Sequence, residues 1–245
     1  MTREEMFKDI ASITVGPDDT FQFHCTQCGK CCINRTDIML SPMDIFRMAK
    51  ELHMSNSDFF RKYCTSHIGD NSRLPIIMLK PVGKDDRCPL LKNNKCSVHN
   101  VKPAVCGMFP LGRYIAFPKG EPGTQPLNSS EVKYLLQPLD CGDKTETHTV
   151  REWLSGFDIA LEDKAFLLWN QSICQISQTL QELEKTWDMM TMMVIWFVTR
   201  VTLYDNYNHN EPFLPQLEKN VEGLKSLLAD IPKLKGMVNR GTGRA

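Results

Sequence analysis

The feature that most constrains this chain is a run of four cysteines within eight residues, Cys25, Cys28, Cys31 and Cys32. Two residues between successive cysteines allow both sulfurs to turn toward one metal while backbone amides point at the thiolates. Gly29 lies inside the run and permits the tight backbone path that this arrangement requires. The spacing therefore predicts a thiolate metal site.

Further cysteines continue the pattern downstream: Cys88, Cys96, Cys106 and Cys141. Adjacent side chains usually diverge, so we expect Cys31 and Cys32 to serve two sites or a multinuclear cluster, unless one of them is not a ligand. Four-thiolate coordination suits both zinc and a [4Fe–4S] cluster, so the residues leave the metal open. Disulfides or free core cysteines are the alternatives to metal binding.

The rest of the composition narrows the class of protein. The first ten residues mix acidic and basic side chains and lack an apolar segment, so they do not resemble a secretory signal. We therefore predict a cytoplasmic protein, in which thiols stay reduced and dense cysteines favour metal or catalysis. The longest apolar stretch, from Met189 to Thr199, is too short to cross a bilayer, which predicts no membrane partner.

Charge gives no indication of nucleic-acid binding. The chain carries 29 basic and 29 acidic residues, and no long basic stretch has interleaved aromatic residues. We therefore predict no nucleic-acid partner, and a protein partner is left open.

Cysteine usage and hydrophobic periodicity divide the chain into two regions. Residues 1–142 hold nine of the ten cysteines and many turn-forming residues, and residues 143–245 have mostly helical periodicity. The predicted fold is mainly α with a small β component. In it a loop-rich, metal-stapled cysteine-cluster region packs on a C-terminal helical bundle.

Local signals predict individual elements. In the first region we predict a helix that begins after the N-cap Ser41, a helix over 57–64, and strands over 75–82 and 113–117. In the second we expect a capping box at Thr149 and helices over 159–183, over 188–204, and from Pro215 to a point before Pro232. Residues 240–245 are predicted to be a disordered tail.

The cysteine pattern resembles the YkgJ/CxxCxxCC family of zinc- or iron-chelating proteins, which also takes in the flagellin lysine-N-methylases. The resemblance covers roughly residues 20–142. It rests on four segments that match the family pattern, which are Cys25–Cys32, Cys88–Leu91, Cys96–Pro110 and Cys141. Lys102 stands where arginine is usual in the family, and the stretch that precedes it is one residue longer than expected.

The resemblance implies a set of eight metal-ligating cysteines: Cys25, Cys28, Cys31, Cys32, Cys88, Cys96, Cys106 and Cys141. It implies an iron–sulfur cluster, of the [4Fe–4S] type, or zinc as the cofactor, and no cofactor beyond the metal. A cluster-dependent lysine N-methyltransferase is one alternative, and a structural zinc protein acting as an interaction module is another. Whether the chain is an enzyme, and which residues would be catalytic, stays open.

Other candidate ligands are less favoured. His24 and His99 neighbour ligand cysteines, but eight thiols already supply enough donors. Cys64 and Cys174 are expected to pack within helices. The methionines that begin at Met189 are interpreted as core on a buried helix rather than as copper ligands.

Overall fold

The computed structural model of the protein describes residues 10–117, 123, 125–138 and 141–241. Helices make up 46% and strands 19% of it, which confirms a mainly α protein with some β structure. The helices are α1 (Pro42–Glu51), α2 (Asn56–Tyr63), α3 (Ala104–Met108), α4 (Val150–Ser155), α5 (Lys164–Glu184), α6 (Met189–Arg200) and α7 (Phe213–Gly241). The strands are β1 (Thr14–Val15), β2 (Thr20–His24), β3 (Cys64–Ile68), β4 (Pro75–Leu79), β5 (Leu91–Lys92), β6 (Lys95–Cys96), β7 (Leu111–Ile115), β8 (Val132–Leu136) and β9 (Asp143–Thr149).

The strands form small antiparallel sheets that bring distant cysteines together. Strand β2 pairs with β9 so that His24 lies opposite Asp143, and this register places Cys25 beside the segment that holds Cys141. Strand β8 lies between β1 and β7, while β3–β4 and β5–β6 are two-stranded pairs. Strands β1 and β8, and strands β2 and β9, pair between remote segments, so no local pattern indicates these partners.

Side-chain caps fix the start of several helices, as their sequences predict. The Ser41 hydroxyl accepts from the backbone N–H of Asp44, and the Asp44 carboxylate accepts in return from the N–H of Ser41. Thr149 and Glu152 form the same capping box at α4, which confirms the predicted cap. Asp188 caps α6 at the residue where the sequence places the start of that helix.

The buried side chains form two clusters. The larger joins α1, β4, α5 and α7 through residues such as Ile45, Ile77, Ile176 and Leu217. The smaller lies around Phe23 and the α4 segment. Since the larger cluster takes side chains from both sides of residue 142, the two predicted regions share a core. The domain boundary at that residue stays a prediction.

Several predicted boundaries differ from the structure. Helix α5 begins at Lys164 rather than at residue 159, because Asp163 caps it by accepting from the N–H of Phe166. Cys64 is the first residue of strand β3 and not part of a helix. Helix α7 continues through Pro232, which removes only one backbone donor from a helix anchored by buried leucines. Residues 240 and 241 of the predicted disordered tail belong to α7, and residues 242–245 lie outside the described residues.

The predicted strands are found with shifted ends. The structure has β4 over Pro75–Leu79, shorter than the predicted 75–82, and β7 over Leu111–Ile115, two residues earlier than predicted. Every residue of β4 pairs with a residue of β3, and every residue of β7 pairs with a residue of β8. The pairing therefore sets the bounds of both strands.

Helix α6 is not buried on all sides, contrary to the expectation from its composition. Met192 is buried, but Met189, Met190 and Met193 are 56–72% exposed, as are their neighbours Val194 and Phe197 to similar degrees. The methionines other than Met192 therefore do not fill a core.

None of the helices in the described ranges is long and apolar enough to span a membrane.

Candidate metal centre

All eight predicted ligand cysteines line a single cavity of about 60 Å³. They come from the loop after β2, the segment around β5 and β6, helix α3, and the segment before β9. The members are Cys25, Cys28, Cys31, Cys32, Cys88, Cys96, Cys106 and Cys141. The structure thus brings together residues as far apart in the sequence as 25 and 141.

Gly29 determines the path of the first cysteine run. It adopts a left-handed backbone with φ of 74°, which L side chains rarely tolerate. A Cβ at this position would also lie 3.2 Å from the backbone oxygen of Asn94, in the β5–β6 turn. The chain then forms a 3₁₀ turn over Lys30–Cys32, which is closed by a bond from the N–H of Cys32 to the carbonyl of Gly29 at 2.9 Å.

The 3₁₀ turn makes the vicinal sulfurs converge. The Sγ atoms of Cys31 and Cys32 are 4.0 Å apart, so the expectation that adjacent side chains diverge is wrong here. That expectation holds for extended backbone, and this pair is in a tight helical turn. Two sulfurs bound tetrahedrally to one zinc ion, each at about 2.3 Å, would be about 3.8 Å apart. The pair could therefore bind one ion together.

Backbone hydrogen bonds fix the positions of three downstream cysteines, and one of these bonds joins Cys88 to the first run. The N–H of Cys88 donates to the carbonyl of Cys32 at 2.8 Å. The β5–β6 pair places Cys96 opposite Leu91. Cys106 lies in α3, and its N–H donates to the carbonyl of Pro103 at 2.8 Å. Each downstream cysteine is thus held by structure next to the cavity.

Gly142 allows Cys141 to approach the same cavity. Its φ is 71°, and a Cβ there would lie 2.5 Å from both the carbonyl oxygen of His24 and the ring of Phe23. A side chain larger than hydrogen would therefore push this segment away from β2. The close packing keeps Cys141 near Cys25, which follows β2 directly.

Two cations also line the cavity, Arg35 and Lys102. Cys31 and Cys32 share a proton: the hydrogen bond from Cys32, with the charges of Lys102 and Arg35, lowers the pKa of Cys31 to about 6. The same hydrogen bond, followed by burial, raises the pKa of Cys32. The pair therefore holds one thiolate near neutral pH.

The remaining thiols differ in how readily they ionise. The backbone N–H of Lys30 is the main cause that lowers the pKa of Cys28. Burial raises the pKa of Cys88 and of Cys96, and it raises that of Cys106 to about 12. Because metals bind thiolates, a metal that binds Cys88, Cys96 and Cys106 would displace the protons of these thiols.

The eight thiols share a cavity without closing around one point. Within residues 10–117, 123, 125–138 and 141–241, no three His, Cys, Asp or Glu side chains are arranged to hold one metal ion. The donor set nevertheless fits a thiophilic metal, because every candidate ligand that lines the cavity, apart from His99, is a cysteine.

The other candidate ligands lie in different surroundings. His99 lines the cavity, whereas His24 has its Nδ1 3.2 Å from the Thr145 hydroxyl. Cys64 is buried in the larger core and Cys174 lies in α5, so neither lines the cavity. Sequence reasoning did not single out Arg35, since nothing in its neighbourhood indicates that its side chain reaches the thiols.

The fold and the cavity define a mainly helical protein with a cavity lined by eight cysteines. A family comparison matches residues 24–153 to CxxCxxCC, described as a putative zinc- or iron-chelating domain. The match covers more than half of the 245 residues, and the chain therefore belongs to the CxxCxxCC family. Comparisons with curated proteins and with solved structures give no match.

Proposed function

We propose that the cavity thiols bind a polynuclear iron–sulfur centre of the [4Fe–4S] type, which takes four of the eight as ligands and leaves the other four for a second metal site. The observation that carries the proposal is that all eight thiols line one cavity. A water molecule needs roughly 10–15 Å³ of such space, so about 60 Å³ leaves room for more than one small species. A polynuclear centre uses such a space better than one ion does.

The surroundings of the thiols support a charged cluster. Arg35 and Lys102 offset part of the negative charge that several thiolates bring together. Phe23, Ile38 and Leu90 are buried side chains on the cavity wall, and they reduce the access of water. The charges around such a centre and its exposure to solvent both affect its reduction potential.

A pair of zinc ions is the second candidate, and one distance favours it. The 4.0 Å separation of the Cys31 and Cys32 sulfurs is close to that of two thiolates on one tetrahedral zinc ion. Eight thiols would supply two complete four-thiolate sites. Lysine methylation stays a prediction from the resemblance, and a role as an interaction module stays a separate prediction.

Metal and sulfide analysis distinguishes the candidates. The full chain is purified without oxygen, and iron, zinc and acid-labile sulfide are measured per chain. Iron with a comparable amount of sulfide and broad visible absorption would support the cluster. Two zinc ions in a colourless protein without sulfide would replace it with the second candidate. A chain that retains neither metal would overturn both.

Single Cys→Ser variants test the ligand set. Each of the eight cavity cysteines is changed in turn, and Cys174→Ser serves as the matched control because that thiol lies outside the cavity. We expect each cavity variant to lose metal and the control to keep it. A cavity variant with full metal content and unchanged absorption would remove that cysteine from the ligand set.

A further inference from the structure

A second cavity lies on the other side of helix α3 from the thiols. It has a volume of about 370 Å³ and adjoins a smaller one of about 140 Å³, with Arg113, Phe166 and Trp169 lining both. We call the two together the α3–α5 cleft. Within α3, Cys106 lines the thiol cavity, whereas Val105 and Met108 line the cleft. The short helix is therefore the wall between the two spaces.

The walls of the cleft carry both apolar and charged side chains: its cations are Arg47 and Arg113, and its carboxylates are Asp44, Asp158 and Asp163. The alternation of strand β7 places Arg113 on the same face as Leu111, which is buried. The Arg113 side chain is only 5% exposed. Its guanidinium lies over the ring of Phe166, 3.5 Å from the centroid. The protein thus holds a permanent cation at a core-facing position.

Arg113 has more donors than the described residues use. Its Nη1 donates to Asp163 Oδ2 at 3.0 Å. The other oxygen of Asp163 caps α5 by accepting from the N–H of Phe166 at 2.9 Å. The Nε of Arg113 is buried and has no hydrogen-bond partner within the described part of the chain. An unpaired buried donor is costly and calls for a partner.

A second unpaired group lies directly across the sheet. Tyr134 on strand β8 is the register partner of Arg113 on β7 and is itself buried. Its hydroxyl has no hydrogen-bond partner among the described residues. Burial raises the pKa of Tyr134, so the hydroxyl stays protonated at neutral pH. Tyr134 lines neither part of the cleft, so its hydroxyl is not assigned a contact with the ligand.

We propose that the α3–α5 cleft binds a small organic acid, with its carboxylate on Arg113 and its apolar body against Trp169 and Ile173. A planar carboxylate matches the fork of donors that a guanidinium presents, and it can take those that Asp163 leaves free. Both Trp169 and Ile173 line the larger part of the cleft. The volume lies within the roughly 300–1,000 Å³ of small-molecule sites.

One apolar face of helix α5 is only partly buried, and this agrees with the proposal. Phe166, Trp169 and Ile173 recur at helical spacing with Ile176 and Leu180, so the five lie on one broad face of α5. The latter two are buried, but the first three keep partial exposure because they face the cleft. The first turns of α5 therefore present part of an apolar surface to the cleft, while Phe166 also contacts Arg113 and Trp169 packs edge-on against Tyr204.

Binding of two simple probes tests the proposal on the full chain. The probes are 3-phenylpropionate and its neutral amide, which have the same shape and differ in charge. We expect the acid to bind saturably in the millimolar range and the amide to bind at least about tenfold more weakly. In spectra of the indole N–H groups, the resonance assigned through Trp169→Phe should shift most. Equal binding of both probes, or no binding of the acid, would overturn the proposal.

Substitutions on opposite walls locate the site. Arg113→Lys keeps the charge but loses the planar fork, and Ile173→Trp fills the cleft from α5. Each should weaken binding of the acid by about tenfold or more. Arg61→Lys, at a 70% exposed position outside the cleft, is the matched control and should bind normally. Normal binding by both cleft variants would overturn the assignment. Neither probe measurement depends on the metal content of the thiol cavity, which is determined separately.

Discussion

The carboxylate of Asp44 accepts a hydrogen bond from the backbone N–H of Ala104 at 2.7 Å. This bond ties the start of helix α1 to the start of α3, sixty residues further along the chain. The other carboxylate oxygen accepts from the N–H of Ser41 at 2.8 Å, and the side chain is buried. Cys106 follows Ala104 by two residues, so the position of this thiol depends on a residue outside the cysteine motif.

We expect Asp44→Ala to destabilise the protein more than Asp58→Ala does. Asp58 has the same capping position in α2, where it accepts from Ser55, but it is exposed and has no long-range bond in the described chain. Because it loses a buried, charge-assisted hydrogen bond, Asp44→Ala should lower the free energy of unfolding by about 1–3 kcal/mol more than Asp58→Ala does. Urea unfolding of both variants measures the difference. Equal destabilisation would mean that the bond to Ala104 contributes nothing.

Arg35 should raise the reduction potential of the proposed cluster. Its guanidinium lines the thiol cavity, and a nearby positive charge favours the reduced, more negative state. In Arg35→Gln the potential should therefore become more negative, as measured by redox titration of the anaerobic protein. Arg61→Gln removes a charge far from the cavity lining and is the control. An unchanged or more positive potential in Arg35→Gln would contradict the assigned role.

In the metal-free protein, Cys31 and Cys64 should react with iodoacetamide very differently. The pKa of Cys31 is lowered to about 6, so its thiolate fraction is already near its maximum at about pH 7. Burial raises the pKa of Cys64 to about 12, and its side chain is buried. We expect the rate at Cys31 to change little as the pH rises from neutral, whereas Cys64 reacts last.

Peptide mass spectrometry of the alkylated chain follows both thiols in one sample. Cys174, whose pKa is raised by burial, gives an internal reference outside the cavity. A rate at Cys31 that rises steeply through the pH range of ordinary thiols, about 8–9, would contradict the shared proton of the vicinal pair.

Asn56 should stabilise the connection between α6 and α7. It is 1% exposed, its Nδ2 donates to the carbonyl of Tyr204 at 2.8 Å, and its Oδ1 lies 2.8 Å from His209 Nε2. Asn56→Ala leaves these groups unpaired, and it should lower the free energy of unfolding by about 1–3 kcal/mol. Asn210→Ala, at an exposed position nearby, is the control. Equal stabilities of the two variants would show that the network is not needed.

The sequence predicts those parts of the fold that local rules determine. The cap at Ser41 and the capping box at Thr149 depend on residues within one helical turn, and both are found where they are predicted. Strands β2 and β9 depend on pairing between segments more than a hundred residues apart. No local pattern in Thr20–His24 indicates that partner.

The candidate site likewise contains residues that the sequence predicts and features that depend on tertiary packing. Spacing and resemblance predict the eight cysteines as ligands, because metal chelation requires particular residue types, and all eight line one cavity. The convergence of Cys31 and Cys32 follows from the left-handed Gly29 and the turn after it, which a cysteine pattern alone does not indicate. Arg35 and Arg113 acquire their surroundings from tertiary packing, so the sequence gives no signal for either.

Anomalous X-ray scattering from crystals of the anaerobically purified protein, collected at the iron and zinc absorption edges, tests the central claim most directly. It gives the element, the number of metal atoms and their positions in one experiment. We predict metal peaks inside the cavity, iron among them, within bonding distance of the sulfurs of the eight cysteines that line it. Metal bound elsewhere in the chain, with these thiols free or joined in disulfides, would contradict the account.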